Sequence, residues 1–115
     1  MLNRYKQAHQ KIAMGLLSFM PKERNVKQLR KTMELYHEHP DWQLFLWKEE
    51  DDYVGAIGIH IEDEESFTVQ HISVIPSYRG EGIGRKMSAR VEKIMGNRRA
   101  KPIEETKAFL MKCRV

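Results

Sequence analysis

Phe67-Thr68-Val69-Gln70-His71-Ile72-Ser73-Val74-Ile75-Pro76-Ser77-Tyr78-Arg79-Gly80-Glu81-Gly82-Ile83-Gly84 is the stretch on which the fold turns. Its first half is dense in β-branched and aromatic residues, the composition of a half-buried strand. Pro76-Ser77-Tyr78 breaks the strand, and three glycines follow within five residues. From Ile83 the period changes, because Met87, Val91, Ile94 and Met95 continue one helical face as far as Gly96-Asn97. The segment therefore predicts a strand handed over to a helix through a glycine turn.

Upstream, residues 42 to 48 and 53 to 61 have the same strand composition as 67 to 75. Two acidic runs, Glu49-Glu50-Asp51-Asp52 and Glu62-Asp63-Glu64-Glu65, separate the three segments and hold eight of the 16 acidic residues. Such short connections suit hairpins and not the long crossover of parallel neighbours, so the strands are expected to be antiparallel and the acidic runs to be solvated turns. Before them, residues 6 to 20 carry a helical stripe of Ile12, Leu16 and Phe19 with Ala13, Leu17 and Met20 beside it, ended by Pro21. A second helix opens at Asn25, a capping residue with Gln28 three positions on, and shows Val26, Leu29, Met33 and Tyr36 on its apolar face before Pro40. Residues 1 to 5 read as a short first strand, 98 to 101 as a brief late one, and 103 to 113 as a last helix carrying Ala108, Phe109 and Met111. The expected class is α/β of the mixed α+β kind, a mostly antiparallel sheet flanked by helices, with residues 1–115 as one domain.

Composition narrows the function. An apolar fraction of 41% and a charged fraction of 31% are those of a globular protein. No apolar run approaches the roughly 18 residues of a membrane span, and the first residues lack a signal-peptide core, so no membrane partner and a cytoplasmic location are expected. Cys113, the single cysteine, permits no internal disulfide and is poorly placed as a nucleophile. From residue 76 onward eleven Lys and Arg face four Glu, a balance that attracts an anion.

The glycine turn says which kind. A diphosphate needs several backbone N–H donors converging without side chains in the way, with the positive end of a helix dipole behind them. Arg79, Gly80, Glu81, Gly82, Ile83 and Gly84 supply that arrangement, and Arg79, Arg85 and Lys86 add charge around it. A P-loop is excluded because no Gly-Lys pair occurs, and a dinucleotide fingerprint because Arg85 stands where its last glycine belongs.

Arg79-Gly80-Glu81-Gly82-Ile83-Gly84 resembles motif A, Arg/Gln-x-x-Gly-x-Gly/Ala, of the GNAT family of N-acetyltransferases, and the order strand, two helices, three antiparallel strands, helix is similar to that family over roughly residues 1 to 96. Residues 11 to 20 and 44 to 48 are further similar to a small member encoded beside bacillar riboflavin genes. The resemblance implies a GNAT fold, here with a minimal C-terminus lacking the usual last strands. It implies acetyl-CoA or another acyl-CoA in a cleft where the fourth strand splays from the fifth, with backbone contacts to the pantetheine from Ile72, Ser73 and Val74. The diphosphate would rest on Arg79 to Gly84 with Arg85 or Lys86 near the remaining phosphates, and no metal is implied. The amine acceptor, a small molecule or a protein, would attack the thioester directly; the riboflavin likeness suggests a flavin-related one.

The family's tyrosine acid and its preceding asparagine would fall at Leu110 and Ile103, so both polar groups are missing, although a thiolate leaves without assistance. His71, on the motif strand beside the implied thioester, is the candidate base, since histidine titrates near neutrality. His60 is a weaker candidate, and His37, His39 and Asp41 do not make a metal site. Three classes of function stay open: an acyltransferase acting on an amine, a non-catalytic acyl-CoA sensor or regulator, and a nucleic-acid binder, which lacks aromatic platforms and a recognition helix. An uncovered sheet edge would invite a homodimer.

Overall fold

The computed structural model of the chain describes residues 1–23 and 25–113, with side chains up to residue 110. The sequence readings of Met111 and Cys113 lie outside the described side chains. The elements run β1 (Leu2–Arg4), α1 (Gln10–Leu17), α2 (Val26–Glu38), β2 (Trp42–Glu49), β3 (Asp52–Ile61), β4 (Ser66–Val74), α3 (Ile83–Met95), β5 (Arg99–Pro102) and α4 (Glu104–Cys113). The five strands form one sheet in sequence order. β1 to β4 are antiparallel and β5 joins β4 in parallel through the α3 crossover. No helix among the described residues is long and apolar enough to cross a membrane.

Strand alternation sends one set of side chains to each face. Leu44, Leu46 and Ala56 pack with Ala13, Leu16, Leu17, Leu29, Met33 and Tyr36 of α1 and α2. Phe45, Trp47, Ile57, Ile59 and Phe67 pack with Ile83, Met87, Val91 and Met95 of α3 and Leu110 of α4. Each of the four α3 side chains contributes roughly 1.5–3 kcal/mol of burial, which fixes the start of that helix against the sheet. Asn25 caps α2, its Oδ1 accepting from the Gln28 N–H at 2.7 Å.

Three expected stripes are corrected. α1 ends at Leu17, so its buried face is Ala13, Leu16 and Leu17; Ile12 and Phe19 are 42% and 44% exposed. Val26 and Ile94, assigned from periodicity to apolar faces, are also exposed. The acidic runs are turns as expected, and they have internal structure. Asp63 Oδ1 accepts from the N–H groups of Glu65 and Ser66 at 2.7 and 2.8 Å, closing the β3–β4 hairpin. In the β2–β3 connection, Glu50 has φ 53° between the paired Glu49 and Asp52.

Candidate functional site

The site is built where β4 and β5 part. Their pairing covers only Ser66 to Val69 of β4, and Pro102, opposite Val69, has no N–H with which to continue the ladder. The Val69 carbonyl is instead taken by Thr106 Oγ1 at 2.8 Å, which pins the start of α4 to the point of separation. On the other side, the β3–β4 register jumps from Gly58↔His71 to Ile59↔Val69, leaving Gln70 as an extra residue in β4. This bulge bends the strand and exchanges its faces. Phe67 and Val69 before it, and Ile72 and Val74 after it, all face α3 and α4, while His71 and Ser73 face α1 and α2.

Past the bulge, β4 presents an edge with no strand beside it among the described residues. Ile75 N–H bonds to the Val54 carbonyl of β3 at 2.9 Å, and the Ser73 carbonyl lies against Gly55. Alternation therefore directs the backbone groups of Ile72 and Val74 to the open edge and those of Ser73 to β3. Of the three backbone partners expected from sequence, Ser73 is turned the other way; its hydroxyl donates to the Leu16 carbonyl at 2.7 Å.

The strand then enters the glycine turn. Gly80 and Gly82 have φ of 85° and 82°, a conformation that L side chains avoid, and no protein atom lies within 4 Å of where a Cβ would stand on either. Gly82 is the N-cap of α3 and provides no side-chain cap, so the first N–H groups of the helix open towards the cleft. Arg79 is exposed but tied back to the strand: its Nε donates to the Val74 carbonyl at 2.9 Å and its guanidinium lies over the Phe19 ring, 5.7 Å from the centroid. Together these elements enclose a cleft of about 680 Å³. Its walls are Phe19, Met20 and Pro21 after α1, Ile72 to Val74, Tyr78 to Arg85 without Glu81, and Glu105, Ala108 and Phe109 of α4. A smaller cavity of about 150 Å³ lies between α3, α4 and the sheet, with Ile57, Phe67, Val69 and Leu110 on its apolar side, Arg85 and Glu92 also on its wall, and the Ser88 Oγ buried there without a hydrogen-bond partner. The larger cleft, with convergent backbone donors and arginines, is the candidate site.

His71 is not on the wall of that cleft. It is 3% exposed, and both ring nitrogens are engaged: Nδ1 with the Tyr36 hydroxyl at 2.6 Å and Nε2 with Glu23 Oε1 at 2.9 Å. Thr32 Oγ1 shares its proton between the two Glu23 oxygens at 2.8 and 2.9 Å. Burial first, and then the charge of Glu23, raises the Tyr36 pKa well above that of a free phenol. Glu23, Thr32 and Tyr36 gave no sequence signal as site residues. His60 stacks on Trp42 with centroids 4.6 Å apart, and His37 bonds to the Tyr5 hydroxyl at 2.8 Å; neither reaches the cleft. Leu110, aligned with the family's acid, is 5% exposed in the core, and its neighbours Ala108 and Phe109 face the cleft.

Residues 11–108 match the model of the acetyltransferase (GNAT) family. A protein of Bacillus methanolicus, described as an uncharacterized N-acetyltransferase in the lysA 3′ region, is 49% identical over 115 residues, covering 100% of this chain and 96% of that protein. Among solved structures, the aminoglycoside N-acetyltransferase AAC(6′)-Iy, in complex with the bisubstrate analogue CoA-S-monomethyl-acetylneamine, superposes with a TM-score of 0.78 at 13% identity, over 97% of this chain and 84% of that one. A GNAT family acetyltransferase from Staphylococcus aureus gives 0.71 at 18% identity over 89% and 83% of the two chains. One from Elizabethkingia anophelis with acetyl-CoA bound gives 0.71 at 14% identity over 97% and 72%. At these identities the structural likeness is one of fold.

Proposed function

The chain belongs to the acetyltransferase (GNAT) family, and from that premise we propose that its cleft binds an acyl-CoA, acetyl-CoA in the simplest case, and passes the acyl group to an amine. The observation that carries this is the continuity of three features: the open β4 edge at Ile72 and Val74, the glycine turn, and the uncapped start of α3. The pantetheine lies along β4 and pairs with the backbone of Ile72 and Val74 as an added strand would, with Ser73 forming wall only. The diphosphate rests on the N–H groups of Gly80 to Arg85, where the helix dipole and Arg85 offset its charge. Structures of fold neighbours with CoA, with acetyl-CoA or with a bisubstrate analogue bound support the choice of ligand.

The reaction is direct. The amine nitrogen forms a bond to the acyl carbon, the carbon–sulfur bond breaks with its electron pair leaving on the CoA thiolate, and the amine gives up a proton. Holding the two reactants in line supplies most of what the protein must do. His71 serves as proton acceptor only through a neighbour, because both its nitrogens are already bonded. The likeness of residues 11 to 20 and 44 to 48 makes flavin-related amines the first acceptors to try. Residues 1–115 act as a single acyl-CoA-binding domain, and a second copy of the chain is the partner we propose for an open sheet edge. Calorimetry with acetyl-CoA, followed by a panel of amines with detection of free thiol, tests the function. Absence of binding at millimolar acetyl-CoA refutes it.

A further inference from the structure

The connection from α1 to α2 runs beside the open half of β4 and is tied to it at both ends. At one end the Leu16 carbonyl accepts from Ser73 Oγ at 2.7 Å; at the other, Glu23 Oε1 lies 2.9 Å from His71 Nε2. Residues 16 to 23 therefore pass along β4 from the side of the glycine turn towards the bulge at Gln70. Met20 and Pro21 are cleft wall, and Glu23 is 1% exposed. Lys22, in the middle of the 3-10 turn Pro21–Glu23, thus stands between a wall residue and a buried anchor at the bulge end of the cleft.

α4 begins at the same level on the opposite lip. Thr106 Oγ1 bonds to the Val69 carbonyl at 2.8 Å, where β4 and β5 separate, and Glu105 beside it is the one carboxylate on the cleft wall among the described residues. Lys22 Nζ meets Glu105 Oε1 at 3.7 Å, so the amine reaches from one lip of the cleft to the other. Both side chains are exposed, and an exposed ion pair stabilises little. The pair locates the amine without locking it.

We propose that Lys22 is a modification site, its amine acylated in cis by the acyl-CoA held in the same chain. The proposal rests on the acyl-transfer function above, which lays the pantetheine along Val74 and Ile72 with the diphosphate on the glycine turn. The thioester then lies at the opposite end of the cleft, the end that Lys22 and Glu105 bridge. When the pair opens and the ammonium gives a proton to solvent, Nζ forms a bond to the acyl carbon. The carbon–sulfur bond breaks with its electron pair on the CoA thiolate, and the new amide nitrogen releases its extra proton to solvent. A lysine already beside the thioester needs no encounter, whereas lysines elsewhere meet acyl-CoA only from solution. The amide carries no charge, so Glu105 loses its partner and the bridge across the cleft is undone. The reaction stops at one acyl group on this residue.

The test incubates the full chain with acetyl-CoA and no added amine, and maps acetyl-lysine by peptide mass spectrometry. Lys22 should be acetylated at least about tenfold faster than Lys31, which is exposed on α2 and off the cleft wall, a modest share of what proximity supplies. Its first-order rate should not change when the protein is diluted. Gly82→Val, with the diphosphate site blocked, should bring Lys22 down to the rate of Lys31. Equal rates at the two lysines in the wild type, or a Lys22 rate that Gly82→Val leaves unchanged, overturn the proposal and reduce the mark to chemical acetylation. In a mixture of the Lys22→Arg and Gly82→Val chains, Lys22 of the valine chain should stay at its slow rate; fast modification there means transfer between chains and overturns the cis assignment. Calorimetry of the wild type with acetyl-CoA runs alongside. Absence of binding removes the acyl-transfer function itself, and binding without a mark on Lys22 removes this inference alone.

Discussion

Gly82→Val separates the ligand's needs from those of the fold. Gly82 has φ 82° and no protein atom within 4 Å of its would-be Cβ, so valine there meets no protein wall, and its isopropyl group projects into the space assigned to the diphosphate. The left-handed conformation costs an L residue roughly 1–2 kcal/mol, a loss of several degrees in melting temperature for a domain of this size. Binding should suffer more. Blocking two charge-assisted N–H contacts at about 1.5–3 kcal/mol each removes at least 3 kcal/mol, or about 10²-fold in Kd. Gly96→Val is the control, since Gly96 at the far end of α3 also has positive φ, 66°, with nothing within 4 Å. Calorimetry with acetyl-CoA below both melting temperatures should show affinity lost in the Gly82 variant and kept in the Gly96 variant. Equal affinities for all three proteins, or equal losses in both variants, would refute the placement of the diphosphate.

Glu50, at φ 53° in a two-residue hairpin connection, sits where glycine is favoured, so Glu50→Gly should raise the unfolding free energy by about 1 kcal/mol in urea denaturation; an unchanged midpoint counts against strain there. The backbone N–H groups of Glu65 and Ser66 hold the Asp63 carboxyl below its usual pKa, so its stabilisation is complete above the ordinary carboxylate range and disappears as pH falls through the lowered value. Asp63→Ala should flatten that acid limb of thermal stability, and an identical limb in the variant would sink the assignment. Leu110→Tyr should leave thiol release unchanged because the side chain faces the core, whereas Phe109→Tyr places a hydroxyl in the cleft and should raise the rate by about tenfold, within the reach of a positioned acid. A gain at 110 and none at 109 would reverse the orientation given to α4.

The glycine turn, the three hairpin strands and α3 were legible because each depends on local chemistry: β-branched runs, acidic turns, and glycines required by backbone angle. The helix faces were less so. The stripe through Ile12 and Phe19 assumed a helix as far as residue 20, but α1 stops at Leu17 and the chain tightens into Pro21–Glu23, carrying Phe19 out beside Arg79. Periodicity reports a face only while the helix lasts. Met20 and Pro21, read as the end of a helix, turn out to be cleft wall.

The bulge at Gln70 had no sequence signature, and most of the site follows from it. Were Gln70 paired in regular alternation and not bulged, His71 would fall on the same face as Val69, against α3 and α4, and Ile72 would exchange with Ser73 at the open edge. Taking Gln70 up as a bulge thus keeps the imidazole towards Tyr36 and Glu23 and the backbone of Ile72 and Val74 outward, beside the divergence from β5 that Pro102 and Thr106 complete. The cleft on one side of β4 and the buried polar cluster of Glu23, Thr32, Tyr36 and His71 on the other are therefore joined through a single backbone irregularity. Deleting Gln70 would leave Ile59↔Val69 and Gly58↔His71 as consecutive pairs of an ordinary ladder, so the faces of β4 should survive and only the local bend be lost.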